Sequence, residues 1–343
     1  MDGNGVEATR AALLDAIRDH GPIGFDEFMT IALYGPEGYY ARPPIGPAGD
    51  FVTSPHVHPV FGMLLAKAIR SLHTGIGAPA PFRLTEVGAG DGTLARQLLA
   101  ELVGLDLRYT AVEISSGARE ALASVDGLEV ATELTGSPHV IVANELLDNL
   151  PFRRVRGDRE IAVTATDDGH LAETEIPWDG EPGPPDDETI VPIAALAFVD
   201  RMAETLAGYA ILIDYGDVGS SGGGAHGYRA HRVVEDTLLD PGGADITAGV
   251  DFDLIAGRAH ADGLVAFPSI TQRDALVGLG FDTWLRSELE RQTDLLDASQ
   301  GLEAVRTWGG RSRATLLVDP SALGRLRWLV LASPGLPRPA WLP

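Results

Sequence analysis

The chain of 343 residues has 45% hydrophobic and 22% charged residues, which is typical of a globular protein with one large domain or two modest ones. Its formal net charge of −23 at pH 7 disfavours nucleic-acid and anionic membrane partners, because both repel a negative protein. Cysteine is absent, which excludes disulfides, thiol catalysis and thiolate metal sites. No apolar run reaches the roughly 18 to 20 residues of a membrane span, and residues 1–19 lack signal-peptide or transit-peptide features, so we expect a cytoplasmic location.

Residues 1–80 are predicted to form a helical N-terminal region. Apolar residues recur at helical spacing over 6–20, 25–33 and 57–72. The stretch 34–47 is rich in glycine and proline and is too broken for regular structure.

Residues 81–343 are predicted to form an α/β core. Its strands are short and apolar, as expected for strands that are buried on both faces. Helices at 93–102 and 116–124 separate consecutive strands and make parallel β-α-β units. Insertions are expected at about 152–192, where a hairpin is predicted, and at about 215–262. The predicted strands span 83–87, 109–112, 128–131, 140–143, 210–213, 265–270 and 328–332.

A glycine-rich turn follows the first core strand. Residues 86–92 read Glu-Val-Gly-Ala-Gly-Asp-Gly, and glycines at these positions allow a tight turn and close approach of a ligand to the backbone. A dinucleotide site would need its third glycine or alanine at Thr93, whereas the observed spacing is typical of S-adenosylmethionine (SAM) methyltransferases. Glu86 is predicted to hold the amino end of the cofactor or to brace the turn. The predicted cofactor contacts here are Glu86, Gly88, Gly90 and Asp91.

An acidic residue, Glu113, ends the second core strand. In doubly wound folds an acid at this place binds ribose hydroxyls, and one carboxylate can accept two such hydrogen bonds. Glu113 is therefore a predicted cofactor contact. Alternatively, it only caps the helix that begins near Ser115 or Ser116.

Polar residues also follow the fourth core strand. Asn144, Glu145 and Asp148 lie where open parallel sheets bind ligands, beyond the carboxyl ends of the strands. Two carboxylates three residues apart can orient one planar guanidinium, so these three residues are the predicted catalytic residues. Alternatively, the two acids bind amides in the first turn of a helix. His56 and His58 provide too few ligands for a metal site, and none is predicted.

A series of short motifs runs along nearly the whole chain. In chain order they are Gly24-Phe25, Gly35-Pro36, Gly38-Tyr39-Tyr40, residues 49–55, the glycine turn, Asn144-Glu145, Ile213-Asp214-Tyr215-Gly216, Tyr228-Arg229-Ala230-His231 and Val250-Asp251-Phe252. This series resembles the MidA family of SAM-dependent methyltransferases, which includes a mitochondrial complex I assembly factor.

The resemblance implies a class I methyltransferase fold, with a mainly parallel seven-stranded sheet and a lid formed by the N-terminal region and the insertions. It implies SAM as the cofactor, with Asp50, Thr53 and Ser54 as further contacts. Mitochondrial members of the family are protein arginine methyltransferases that act on a complex I subunit, so arginine is the first predicted acceptor. A homodimer is a candidate assembly. The candidates for the substrate pocket are Asp214, Tyr215 and His231.

Two rival functions stay open at this point. The first is O- or N-methylation of a small molecule in a biosynthetic pathway. The second is a non-enzymatic assembly factor that binds SAM and acts through protein contact. The preferred prediction is a SAM-dependent methyltransferase of a protein side chain.

Overall fold

The computed structural model describes residues 3–41, 52–218, 224–229, 232–234 and 236–343. Its N-terminal region is helical, as predicted, and a short 3-10 helix lies at Tyr39–Ala41. The helix predicted over 57–72 begins at Val60, because Pro59 separates it from a preceding single turn. The helices are α1 (Gly3–His20), α2 (Phe25–Tyr34), α3 (Ser54–Val57) and α4 (Val60–Gly75).

The core begins with four parallel strands, and helices link the first three of them. The elements are β1 (Phe82–Val87), α5 (Thr93–Glu101), β2 (Leu107–Val112), α6 (Ser116–Leu122), β3 (Leu128–Ala131) and β4 (Val140–Asn144). β2 pairs with β1 and with β3, and β4 pairs with β1 on its other side, all in parallel. The predicted strands and the β-α-β units are confirmed here.

The first insertion forms a four-stranded antiparallel sheet, which extends the predicted hairpin by two strands. The strand order across this sheet is Leu171–Pro177, Arg159–Ala165, Arg153–Arg156 and Thr189–Val191. Ile23 of the N-terminal region bridges to Val163 of this sheet. Phe25 stacks on Phe152 in the core that the two regions share. The elements are β5 (Arg153–Arg156), β6 (Arg159–Ala165), β7 (Leu171–Pro177), β8 (Thr189–Val191) and α7 (Ile193–Thr205).

The second insertion follows the next core strand and carries short strand pairs. The elements are β9 (Tyr209–Asp214), β10 (Gly216–Asp217), β11 (His226–Arg229), β12 (Arg232–Val234), β13 (Asp245–Thr247), β14 (Val250–Asp251) and α8 (Phe252–Ala261). β11 pairs with β12 and with β13, whereas β10 pairs with β14. These strands lie after the carboxyl end of β9, so the insertion is joined to the edge of the sheet where a ligand would bind.

The C-terminal part differs most from the prediction. The strand predicted over 265–270 is two separate bridges, and two helices were not predicted. The elements are β15 (Val265–Ala266), β16 (Ile270–Thr271), α9 (Gln272–Leu279), α10 (Phe281–Asp297), α11 (Gly301–Ala314), 3-10 helices at Thr315–Leu317 and Leu323–Arg325, and β17 (Arg327–Ala332).

The central sheet has the strand order β15-β17-β9-β4-β1-β2-β3, and β16 also pairs with β17. The sheet is mainly parallel, as expected, and β17 runs antiparallel to β9 next to its edge. Trp328, Phe61 and Tyr209 are among the buried side chains of its largest core. Within the described ranges, no helix is long and apolar enough to cross a membrane. The division of the chain at residue 80 stays a prediction.

Candidate active site

The glycine turn after β1 depends on backbone conformations that other residues rarely adopt. Gly88, Gly90 and Gly92 have φ values of 73°, 53° and 78°, which lie in the left-handed region that favours glycine. The amide of Gly88 donates to the Val112 carbonyl at 2.9 Å, which ties the turn to the end of β2. A Cβ atom on Gly88 would lie 2.8 Å from Leu146 Cδ1, so the Leu146 side chain would have to shift, and the positive φ would strain any other residue here.

Glu113 connects this turn to the start of α6. Its Oε2 accepts a hydrogen bond from the Gly90 amide at 2.9 Å, and its Oε1 accepts one from the Ser115 amide at 2.8 Å. The cap of α6 is Ser115, whose hydroxyl accepts from the Ala118 amide at 3.3 Å. Glu113 therefore fixes the turn and also lines the cavity beside it. An ionised carboxylate has further lone pairs for ligand hydroxyls after accepting two amide bonds.

We call this space the glycine-loop cavity, and its volume is about 180 Å³. The predicted residues Gly88, Gly90, Asp91 and Glu113 line it, together with Glu145. Much of the remaining wall is apolar, which suits a flat adenine ring. The other lining side chains include Tyr34, Tyr40, Val112, Ile114, Ala118, Leu146, Asn149 and Phe198.

Glu86 lies behind the turn and is almost fully buried. Its Oε2 accepts a hydrogen bond from the Tyr109 hydroxyl at 2.5 Å. Burial raises its pKa to about 8, against the opposing effect of the Tyr109 bond, so the carboxyl is protonated at neutral pH. The Glu86 carboxyl bonds to Tyr109 and is not among the residues that line the cavity beside the turn, so its contact with the cofactor stays a prediction.

His56 links α3 to the glycine turn. Its Nε2 lies 3.0 Å from Asp91 Oδ2, and its Nδ1 lies 2.8 Å from Thr53 Oγ1. Asp91 Oδ1 accepts from the Thr93 amide at 2.9 Å. Burial alone would raise the pKa of Asp91, but the bonds from His56 and Thr93 lower it to about 2. Asp91 is therefore ionised at neutral pH.

His58 points elsewhere, against the ring of Trp284 at 5.1 Å between centroids. The two histidines thus have different neighbours. Among the residues that the structure describes, no three His, Cys, Asp or Glu side chains converge as metal ligands.

Glu145 lies directly beyond β4 and has a φ of 52°, a conformation that is strained for a residue with a side chain. Its Oε1 accepts from the Ser54 amide at 2.9 Å and from Asn144 Nδ2 at 3.3 Å. Burial, with the charge of Asp214 as a smaller contribution, raises its pKa to about 7 against these two bonds. Glu145 can therefore exchange a proton near neutral pH.

Asp214 was a candidate for the substrate pocket, but its side chain binds backbone amides. It is fully buried, and its Oδ2 accepts from the amides of Leu146, Leu147 and Asp148 at 3.0, 2.6 and 3.4 Å. Its Oδ1 accepts from the Tyr215 amide at 2.7 Å. Burial raises its pKa to about 7 despite these bonds. Asp214 supports the loop that carries the candidate catalytic residues.

A second space, which we call the acidic cavity, adjoins the first and has a volume of about 420 Å³. The two cavities share Tyr40, Glu145 and Asn149 in their walls. Asp148 lines the acidic cavity, and its buried Oδ1 has no hydrogen-bond partner among the described residues. Other lining residues are Thr53, Tyr215, His226, Tyr228, Asp245, Thr247 and Arg325.

Asp148 and Asp245 are acidic residues in the wall of this cavity. Burial raises the pKa of Asp148, and the charges of Asp214, Asp245 and Glu145 raise it further. Asp245 accepts from the Tyr40 hydroxyl at 2.9 Å and from Asn149 Nδ2 at 3.0 Å. Tyr40, Asn149 and Arg325 also line this cavity and were not predicted as site residues.

The predicted residues near α3 are only partly described. Thr53 lines the acidic cavity, whereas the buried Ser54 donates its amide to Glu145 and its hydroxyl to Gln272 Oε1 at 3.3 Å. Asp50 and His231 lie outside the described residues.

The sheet order and the ligand cavity at the carboxyl ends of β1, β2 and β4 define a class I methyltransferase fold. A family model of S-adenosyl-L-methionine-dependent methyltransferases matches residues 64–270. The chain belongs to this family, which confirms the resemblance to MidA proteins and makes it a SAM-dependent methyltransferase.

Known proteins resemble the chain over most of its length. A Burkholderia thailandensis protein, crystallised with S-adenosyl-homocysteine, is 27% identical and superposes with a TM-score of 0.81, covering 99% of this chain and 95% of its own. The curated relative "Protein arginine methyltransferase NDUFAF7, mitochondrial" of Xenopus tropicalis is 29% identical over 86% of this chain and 80% of its own. The human protein of that name is 28% identical over 82% and 75%.

These names contradict one prediction. The curated relatives are named as mitochondrial proteins, which contradicts the predicted cytoplasmic location. The prediction of SAM as the cofactor is confirmed by the family and by the S-adenosyl-homocysteine in the neighbouring structure.

Proposed function

We propose that the protein methylates the guanidinium of an arginine in a protein acceptor. In this proposal SAM binds in the glycine-loop cavity and the guanidinium enters the acidic cavity. The main support for the proposal is that the two cavities share Glu145 and Asn149 in their walls, and that the wall of the second contains acidic side chains. A methyl donor and a cationic acceptor can thus reach one another where an acid with a pKa of about 7 is placed.

The glycine-loop cavity has the chemistry that SAM requires. Glu113 would accept the ribose hydroxyls, while Gly88 and Gly90 would leave space for the ligand at the backbone. The apolar side chains Ile114 and Phe198 would contact the adenine ring. Bound SAM supplies an electrophilic methyl group, so the protein needs to provide alignment and charge stabilisation.

The acidic cavity is prepared for a cation. Burial raises the pKa values of Glu145 and Asp148, and the charge of Asp214 raises both further, which makes their ionised forms costly without a cation. A guanidinium would relieve this repulsion and form bidentate hydrogen bonds with the carboxylates. Glu145 would then orient one nitrogen of the guanidinium and receive the proton that this nitrogen loses.

The names of the relatives give independent support for this acceptor. The proteins from Xenopus and human are called protein arginine methyltransferases. The acidic cavity supplies a physical reason for the same preference here.

Incubation with radiolabelled SAM and arginine peptides, followed by amino-acid analysis, tests the proposal. We expect methylarginine with the wild-type protein and at least a hundredfold less with Glu145→Gln. Glu129→Gln, a change of an exposed acid on β3, is the matched control and should retain full activity. Label in free metabolites would support the small-molecule rival, and SAM binding without any labelled product would support the assembly-factor rival.

A further inference from the structure

Arg325 is a basic residue in the wall of the acidic cavity. It ends the 3-10 helix Leu323–Arg325, is exposed, and lines the cavity. The acids of this cavity, Glu145, Asp148 and Asp245, are more deeply buried. The cavity therefore has acidic groups in its interior and a permanent positive charge near solvent.

Within the described part of the chain, no carboxylate lies at ion-pair distance from the guanidinium of Arg325. Its Cζ lies over the ring of Tyr215, 5.6 Å from the centroid, and Tyr215 lines the same cavity. A cation–π contact at this distance holds the guanidinium near the ring while its N–H groups can still donate.

We propose that Arg325 is a specificity-determining residue that binds a carboxylate close in sequence to the target arginine. This inference rests on the proposed function. The interior acids bind the target guanidinium, and Arg325 at the exposed side binds an Asp or Glu side chain of the same acceptor segment. A fixed guanidinium matches a carboxylate bidentately, which gives a preference for acidic over neutral neighbours.

The proposal also has a consequence for wrong acceptors. A basic side chain beside the target arginine would place two positive charges next to one another at Arg325. Repulsion would then disfavour acceptors with clustered arginines or lysines, even though the interior of the cavity is acidic. The preference should weaken as salt is added, because the contact lies near solvent.

Three sets of arginine peptides test the inference. They differ only in carrying Glu, Gln or Lys at one of the two positions on either side of the arginine. For wild type we expect kcat/KM to be about fivefold higher for the best Glu peptide than for its Gln counterpart. Arg325→Gln should bring this ratio close to one, and Arg325→Glu should give a higher kcat/KM for the Lys peptide than for the Glu peptide.

Arg286→Glu provides the matched control, since Arg286 is an exposed arginine on α10 that bonds to Thr283. It makes the same change of net charge and should keep the wild-type ratio. An unchanged ratio in Arg325→Gln, or equal turnover of the three peptides by wild type, overturns the inference and leaves the proposed function standing. Failure of wild type to methylate any arginine peptide overturns both.

Discussion

Replacing Glu145 by Gln should lower the activity of the protein and raise the stability of its fold. The change removes the carboxylate but keeps an oxygen that can accept from Ser54 and Asn144, so the loop should retain its shape. Because the pKa of Glu145 is about 7, about a tenth of the wild-type protein carries the charge at pH 6. Wild-type kcat/KM for an arginine peptide should therefore fall about tenfold for each pH unit below 7, and the residual activity of Glu145→Gln should lack this dependence.

The same substitution should stabilise the fold. The pKa of Glu145 is raised from 4.5 to about 7 on folding, so its stabilising contribution is complete below pH 4.5 and is lost as the pH rises through 7. The full difference corresponds to about 3 kcal/mol. Glu145→Gln should thus unfold at a higher urea concentration than wild type at pH 8, and with little difference at pH 4.5.

Urea denaturation at the two pH values measures this effect, with Glu129→Gln as the control for loss of one negative charge. Equal stability of wild type and Glu145→Gln at pH 8 would show that the carboxylate is not under strain. A pH profile of Glu145→Gln that is as steep as that of wild type would assign the titration to another acid, such as Asp148.

Three further substitutions test other parts of the structure. Gly90→Val should abolish SAM binding in calorimetry, because the valine side chain would enter the ligand path and a φ of 53° disfavours residues other than glycine. The circular dichroism spectrum should stay close to native, and normal SAM binding would contradict the site. His56→Leu removes a donor to Asp91, so the pKa of Asp91 should rise from about 2 toward its ordinary value in an NMR titration; an unchanged pKa would exclude His56 as its cause. Trp328→Ala should lower the unfolding free energy by about 4 kcal/mol in urea, because the ring is fully buried between Phe61 and Trp341; a loss below 1 kcal/mol would refute its place in the core.

The central sheet could be predicted because its sequence signals are local. Short apolar runs identify strands that are buried on both faces, and the glycine turn identifies the first strand of the nucleotide-binding unit. The C-terminal helices α10 and α11 lack such signals. α10 leaves Leu289 and Leu296 exposed, and α11 contains the adjacent glycines Gly309 and Gly310, which are weak helix formers.

The candidate site could be predicted only where its residues follow strands. Glu113 and Glu145 come directly after β2 and β4, and the parallel sheet places them on one edge. The sequence does not show which way a strand-end acid points. Asp214 follows the same rule, yet its carboxylate binds backbone amides beneath the loop. Tyr40 and Arg325 come from opposite ends of the chain, and only tertiary structure brings them to one cavity.

Glu145 combines two features that destabilise the folded protein. It has a left-handed backbone conformation without being glycine, and its carboxyl has a raised pKa in a site beside other acids. Each feature lowers the stability of the folded protein, and a glycine or an uncharged residue at this position would avoid one of them. Glu145 is also a residue that the two cavities share. Stability alone would not select an acid here, whereas a reaction that needs a carboxylate between a methyl donor and a cationic acceptor would.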